Sequence, residues 1–150
     1  GSSDAHTGLS AVDDSNFFGK SAPAEPSAVR FMNKQATYNW QMNAAGLAAV
    51  WAKDNTRAEI FNALSRREVY ATTGPRISLR FFGGYDFHQD DLDPESLVAN
   101  GYEKGIPMGG ELNAKKDAPP SFLFAAMKDP RGANLDRLQI VKGWIEKEEI

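Results

Sequence analysis

The hydrophobic positions change their period several times along the chain, and each change predicts an element. Gly46 to Ala52, "GLAAVWA", is a continuous apolar run of strand length, the pattern of a strand covered on both faces. The stretch "NTRAEIFNALSRRE" then shifts to helical spacing, with Ile60, Phe61, Ala63 and Leu64 on one face. Thr56 and Glu59 have the spacing of a capping box, and Arg66 and Arg67 put positive charge at the end of the helix, so it is predicted from about Arg57 to Arg67. "EVYATT" returns to strand composition until Gly74-Pro75. In "RISLRFF" the period is two: Ile77, Leu79 and Phe81 point inward and Arg76, Ser78 and Arg80 form a wet face. "DPESLVANG" predicts a short helix capped by Asp93, with Pro94 in its first turn and Gly101 just past its end. "SFLFAAMK" and "RLQIVKGWIEK" read as two further strands, joined into a long hairpin by the turn-rich "DPRGANLD".

The first third is less regular. Thr7 to Pro26 is rich in Gly, Ser, Pro and Asp, with Phe17-Phe18 as its apolar anchor, and is longer than ordinary loops. "SAVRFMNK" reads as a short helix with Val29 and Met32 on one side. The chain thus divides into residues 1–74, an incomplete α/β piece, and residues 75–150, a mostly antiparallel β module; the fold class is α+β.

Composition narrows the function more than it names it. With 41% apolar and 25% charged residues a packed core is expected. The 20 acidic and 17 basic residues give a net charge of −3, which argues against a nucleic-acid partner. The absence of cysteine removes disulfides, thiolate nucleophiles and cysteine-bound zinc, but leaves the cytoplasm and the periplasm equally open. No apolar run approaches the roughly 18 to 20 residues of a membrane span. There is no G-x-S-x-G elbow, and Gly109-Gly110 in "PMGGEL" lacks the lysine and helix of a phosphate loop, so a tight turn is expected there.

The chemistry-bearing feature is "GSSDAHTG". Gly1-Ser2-Ser3 has the composition of a tag scar, whereas Asp4 and His6, two positions apart, face the same side of an extended segment. They offer an oxygen and a nitrogen to one point, the geometry of a metal ligand pair, although D-x-H also arises by chance. His88 in "YDFHQDD", the other histidine, is expected on the surface.

D-x-H, a long loop, an apolar strand, a capped helix and "REVYATTGP" together resemble the C-terminal end of the PHP superfamily of metal-dependent phosphoesterases, named for polymerase and histidinol phosphatase domains. More closely, "GSSDAHTG", "NFFGK", "VYATTGPRI", "GIPMGGEL" and "KDPRGANLDRLQIVKGW" resemble a bacterial family of unassigned function whose members are several times longer. The resemblance implies that residues 1–74 are the end of a PHP-like α/β barrel and that residues 75–150 are a β-sandwich-like accessory module. It also implies that Asp4 and His6 help to hold two or three divalent ions (zinc, manganese or iron), while the earlier ligand motifs have no counterpart in this sequence. Two donors cannot close such a site, so tight metal binding and catalysis are not expected of this chain alone.

On this reading the parent protein is a metal-dependent hydrolase of phosphate or other esters. Asp13, Asp14, Asn16 and Lys20, on the loop after the ligands, are candidates for its substrate pocket; a solvated surface is the plainer reading of each. The alternative is a non-catalytic module for ligand binding or interdomain packing. It would use Phe81, Phe82, Tyr85, Phe87 and Trp144 as an aromatic platform for carbohydrate, against which core packing of Phe81 is the simpler expectation. Trp40 and Trp51 read as packing residues. The expected partners are the missing barrel portion of the same protein and, for this chain alone, a second copy covering the Gly46–Ala52 strand and the Phe61 face.

Overall fold

The computed structural model describes residues 46–145. They form a small α+β module whose elements, in chain order, are β1 (Leu47–Val50), α1 (Arg57–Ser65), β2 (Val69–Thr72), β3 (Ser78–Gly84), a 3-10 turn (Gln89–Leu92), α2 (Leu97–Lys104), β4 (Gly105–Pro107) and β5 (Ser121–Met127). β1 and β2 pair antiparallel as a two-stranded ribbon, and β3 is the middle strand of an antiparallel sheet ordered β4-β3-β5. The expected strand at Gly46–Ala52, helix after Thr56, strand before Gly74, strand after Pro75, helix after Asp93 and strand at "SFLFAAMK" are all present. The expected helix "SAVRFMNK" and the loop from Thr7 to Pro26 lie outside the described residues.

α1 starts where its cap requires: the Thr56 hydroxyl accepts from the Glu59 amide at 3.2 Å. It ends in a Schellman arrangement, with the Glu68 amide donating to the Ala63 carbonyl and the Arg67 amide to that of Leu64, each at 3.0 Å. The left-handed residue of this motif is Arg67, at φ +61°. A side chain there costs about 1 kcal/mol that glycine avoids, and the exposed Arg67–Glu111 pair at 3.4 Å does little to offset it. Arg67→Gly is therefore expected to raise the urea midpoint by an amount equivalent to about 0.5–1 kcal/mol; a lowered midpoint would show that the arginine earns its place through contacts.

Around α2 and β3, three details depart from the sequence expectation. Gly101 lies inside α2, because the helix passes over Phe82 so closely that a Cβ at Gly101 would sit 2.5 Å from the ring. Asp93 caps the turn before α2 through a bond from the Glu95 amide, at 2.8 Å, and Leu97 starts the helix proper. The inward face of β3 is also the opposite one. Phe82, 1% exposed, shares its face with Arg80, and across the ladder they pair with Leu123 and Ala125. The core is Phe82, Leu97 and Leu123, with Phe87 and Ala125 packed against it. Alternation correctly separated the faces, but only the position of α2 decides which of them is covered.

The remaining edge of β3 explains how the ribbon attaches. β4 pairs only with Phe82 to Gly84, leaving earlier carbonyls without ladder partners on that side. Those of Ile77, Leu79 and Phe81 accept instead from the Tyr70 hydroxyl (3.1 Å), the Trp51 indole N–H (2.9 Å) and the Met108 amide (2.9 Å). Two aromatic side chains of the ribbon thus dock on a strand edge with the period-two spacing of a missing strand. β1 itself is only partly buried, with Ala48 exposed, so the described residues do not cover both faces of that apolar run.

The "DPRGANLD" turn forms as expected: Asp129 accepts from the amides of Arg76 (2.6 Å) and Arg131 (2.9 Å). These amides hold its carboxyl below the usual carboxylate range. No strand follows, and the expected hairpin of "RLQIVKGWIEK" with β5 is absent among the described residues. Residues 137–145 carry Val141, Trp144 and Ile145 at 84%, 71% and 96% exposure, a strand-like pattern with no described neighbour to pair with. Gly109, at φ +81°, sits in the expected tight turn, closed by the Gly110 amide on the Pro107 carbonyl.

Candidate functional site

Asp4, His6, Asp13, Asp14, Asn16, Lys20 and Trp40 lie outside the described residues. Among the described residues no group of three or more His, Asp or Glu side chains could hold a metal. His88 is exposed, as expected; its amide donates to Asp91 at 2.9 Å. Asp91 is buried and pairs with Lys104 at 2.6 Å, and that ammonium, more than the His88 amide, holds its carboxyl below the ordinary range. The pair ties the 3-10 turn to the end of α2.

The aromatic platform does not form. Phe82 is in the core, and Phe87 packs against it. Phe81 stacks on Phe122 and Phe124 with ring centroids 5.4 and 6.4 Å away, and Tyr85 donates to the Asn113 carbonyl at 2.8 Å. Trp144 alone of the five is widely exposed. Alternation and α2 distribute these side chains over different faces, so no common plane is left for a sugar.

The most concentrated chemistry among the described residues surrounds Glu68, which is 4% exposed. It follows the left-handed turn at Arg67, and its backbone carbonyl accepts from the Trp51 amide at 3.0 Å. One oxygen accepts from the Tyr102 hydroxyl and lies 3.7 Å from Arg80; the other lies 3.3 Å from Arg66. Arg80 closes the network by donating to the Tyr102 hydroxyl at 3.1 Å, while its guanidinium carbon stacks 3.4 Å above the Trp51 ring. Arg66 also donates to the Trp51 carbonyl at 3.4 Å. Burial, then the bond to Glu68, raises the Tyr102 phenol above its ordinary value, so it remains a neutral donor at physiological pH.

These side chains come from both sides of residue 74: Trp51, Arg66 and Glu68 from the ribbon and α1, Arg80 and Tyr102 from β3 and α2. They line a cleft of about 660 Å³ together with Lys53, Glu59 and Asn62. Sequence reading placed Trp51 as a packing residue, which it is, but missed Glu68, Arg80 and Tyr102. The one available signal was Arg80 between Leu79 and Phe81, read as a solvent-facing position; Arg80 is in fact only 18% exposed.

A family model described as "Protein of unknown function (DUF3604)" matches residues 1–149. The chain belongs to the DUF3604 family. No curated protein and no solved structure matches it. In this DUF3604 chain no helix among the described residues is long and apolar enough to cross a membrane.

Proposed function

We propose that this DUF3604 chain is the C-terminal part of a PHP-like metal-dependent hydrolase. In this reading residues 1–74 end the catalytic α/β barrel and residues 75–150 are its accessory module. The observation that carries it is the D-x-H pair at Asp4 and His6, which lies within the family match over residues 1–149. A carboxylate oxygen and an imidazole nitrogen suit zinc, manganese or iron, and two such donors need further ligands from another part of the protein. Bound ions would supply a hydroxide nucleophile and neutralise charge developing on an ester oxygen. Asp4 and neutral His6 would hold the metal, and Lys20 would orient an anionic substrate group alongside Asp13, Asp14 and Asn16.

The apolar surface supports a larger whole. Phe61 and Leu64 on α1 are 67% and 50% exposed, and the 137–145 segment adds Val141, Trp144 and Ile145. Exposed apolar area of this extent is typical of a surface meant to be covered. In the parent protein the rest of the barrel would cover the α1 face, and the barrel would also cover residues 137–145, which is the packing role of the module.

The test uses the full-length parent protein. Asp4→Ala and His6→Ala are each expected to lower bound metal, measured by plasma mass spectrometry, and to reduce hydrolysis of p-nitrophenyl phosphate or p-nitrophenyl acetate at least tenfold, about what loss of a ligand or its support costs. Metal content and hydrolysis both unchanged would remove the assignment.

A further inference from the structure

The cleft beside Glu68 has a charge surplus that its own ion pairs do not consume. Three cationic side chains, Lys53, Arg66 and Arg80, face two carboxylates, Glu59 and Glu68. Glu68 is held by Tyr102, Arg66 and Arg80, and Glu59 accepts from Asn62 at 3.3 Å. Lys53 has no carboxylate within 4.0 Å among the described residues. Arg80 spends one terminal nitrogen on Tyr102 and Glu68, while its Nε and second terminal nitrogen have no hydrogen-bond partner among the described residues.

The guanidinium is also fixed in place. Stacking on Trp51 sets its plane, the Trp51 indole is tied to the Leu79 carbonyl, and Tyr102 holds one end of the fork. A guanidinium with two parallel N–H groups in fixed orientation matches two oxygens of an oxyanion. The face of the Trp51 ring toward the cleft is covered by the Arg80 guanidinium, 3.4 Å from the ring centroid. The unpaired cationic groups of the cleft favour an anionic ligand. It also runs against the net charge of the chain, −3, so a general surface field does not explain it.

We propose that this cleft is a binding site for the oxyanion group, phosphate or carboxylate, of a small polar ligand. The free edge of Arg80 grips the anion, Lys53 and Arg66 supply the remaining charge, and Glu68 positions both arginines without touching the ligand. None of these residues is a proposed metal ligand, and the anion site requires no metal.

The 150-residue chain, kept in EDTA at constant ionic strength, is titrated with inorganic phosphate and separately with acetate while the Trp51 indole N–H and Arg80 Nε–H signals are followed by NMR. Saturable shifts of both signals are expected with at least one anion, with a Kd of about 1 mM. Phosphate alone or acetate alone identifies the headgroup class. Lys53→Gln, at an exposed position, is expected to weaken binding about threefold, and Arg80→Lys, which keeps the charge but loses the fork, about tenfold. No saturable shift with either anion, or equal affinity in wild type and Lys53→Gln, overturns the proposal even if Arg80→Lys fails to fold.

Discussion

Alanine in place of Glu68 is expected to lower the stability of the folded module by about 3 kcal/mol, the lower end of what removing one partner from a buried ion pair costs. The size follows from what is left behind. Arg80, 18% exposed, loses its buried carboxylate, and the Tyr102 hydroxyl loses its acceptor. Arg66, at 49% exposure, regains water readily and adds little. The damage should spread beyond the site, because Glu68 links β2 to β3 and α2. Hydrogen exchange is therefore expected to accelerate at the Trp51 and Met108 amides as well as near residue 68. Urea unfolding measures the first effect; a loss below about 1 kcal/mol, the typical worth of an exposed pair, would mean the network is solvated in solution.

The second large effect concerns the contact of Gly101 with Phe82. In an exposed helix, glycine to alanine stabilises by about 1 kcal/mol. Here the added methyl would meet the Phe82 ring at 2.5 Å, and that ring is packed against Leu123 and edge-on to Tyr102, with centroids 5.1 Å apart. Gly101→Ala is expected to cost about 1–3 kcal/mol through overpacking. Phe82→Ala should cost about 3–5 kcal/mol through the cavity it opens. The two should not add: once the ring is gone the methyl at 101 has room, so the double variant should be more stable than the sum of the single losses. Urea midpoints of the four proteins decide it. Strict additivity, or a stabilising Gly101→Ala, would show that α2 does not press on the sheet as described.

Most elements could be read from the sequence because local signals fix them. The Thr56–Glu59 cap, the apolar run before it and the two-residue period after Pro75 each depend on neighbouring residues alone. What could not be read depends on residues distant in sequence. Gly101 looks like a helix stop until Phe82, nineteen positions earlier, is seen filling the space a side chain would need. Arg80 looks solvent-facing until α2 covers its side of β3. "RLQIVKGWIEK" has the composition of a strand, but composition cannot supply a partner edge, and the described residues offer none. The Glu68 network was invisible for the same reason: its members span residues 51 to 102, and no spacing rule connects them. The D-x-H pair is the reverse case, a local signal at residues 4 and 6 that, in the proposed reading, needs further ligands from elsewhere.

The hydrolase reading is tested most directly by anomalous diffraction from crystals of the full-length parent protein. The account predicts a metal peak with an Asp4 carboxylate oxygen and a His6 ring nitrogen each about 2.0–2.2 Å away. Side chains of Asp4 and His6 pointing apart, with no metal peak between them, would contradict it.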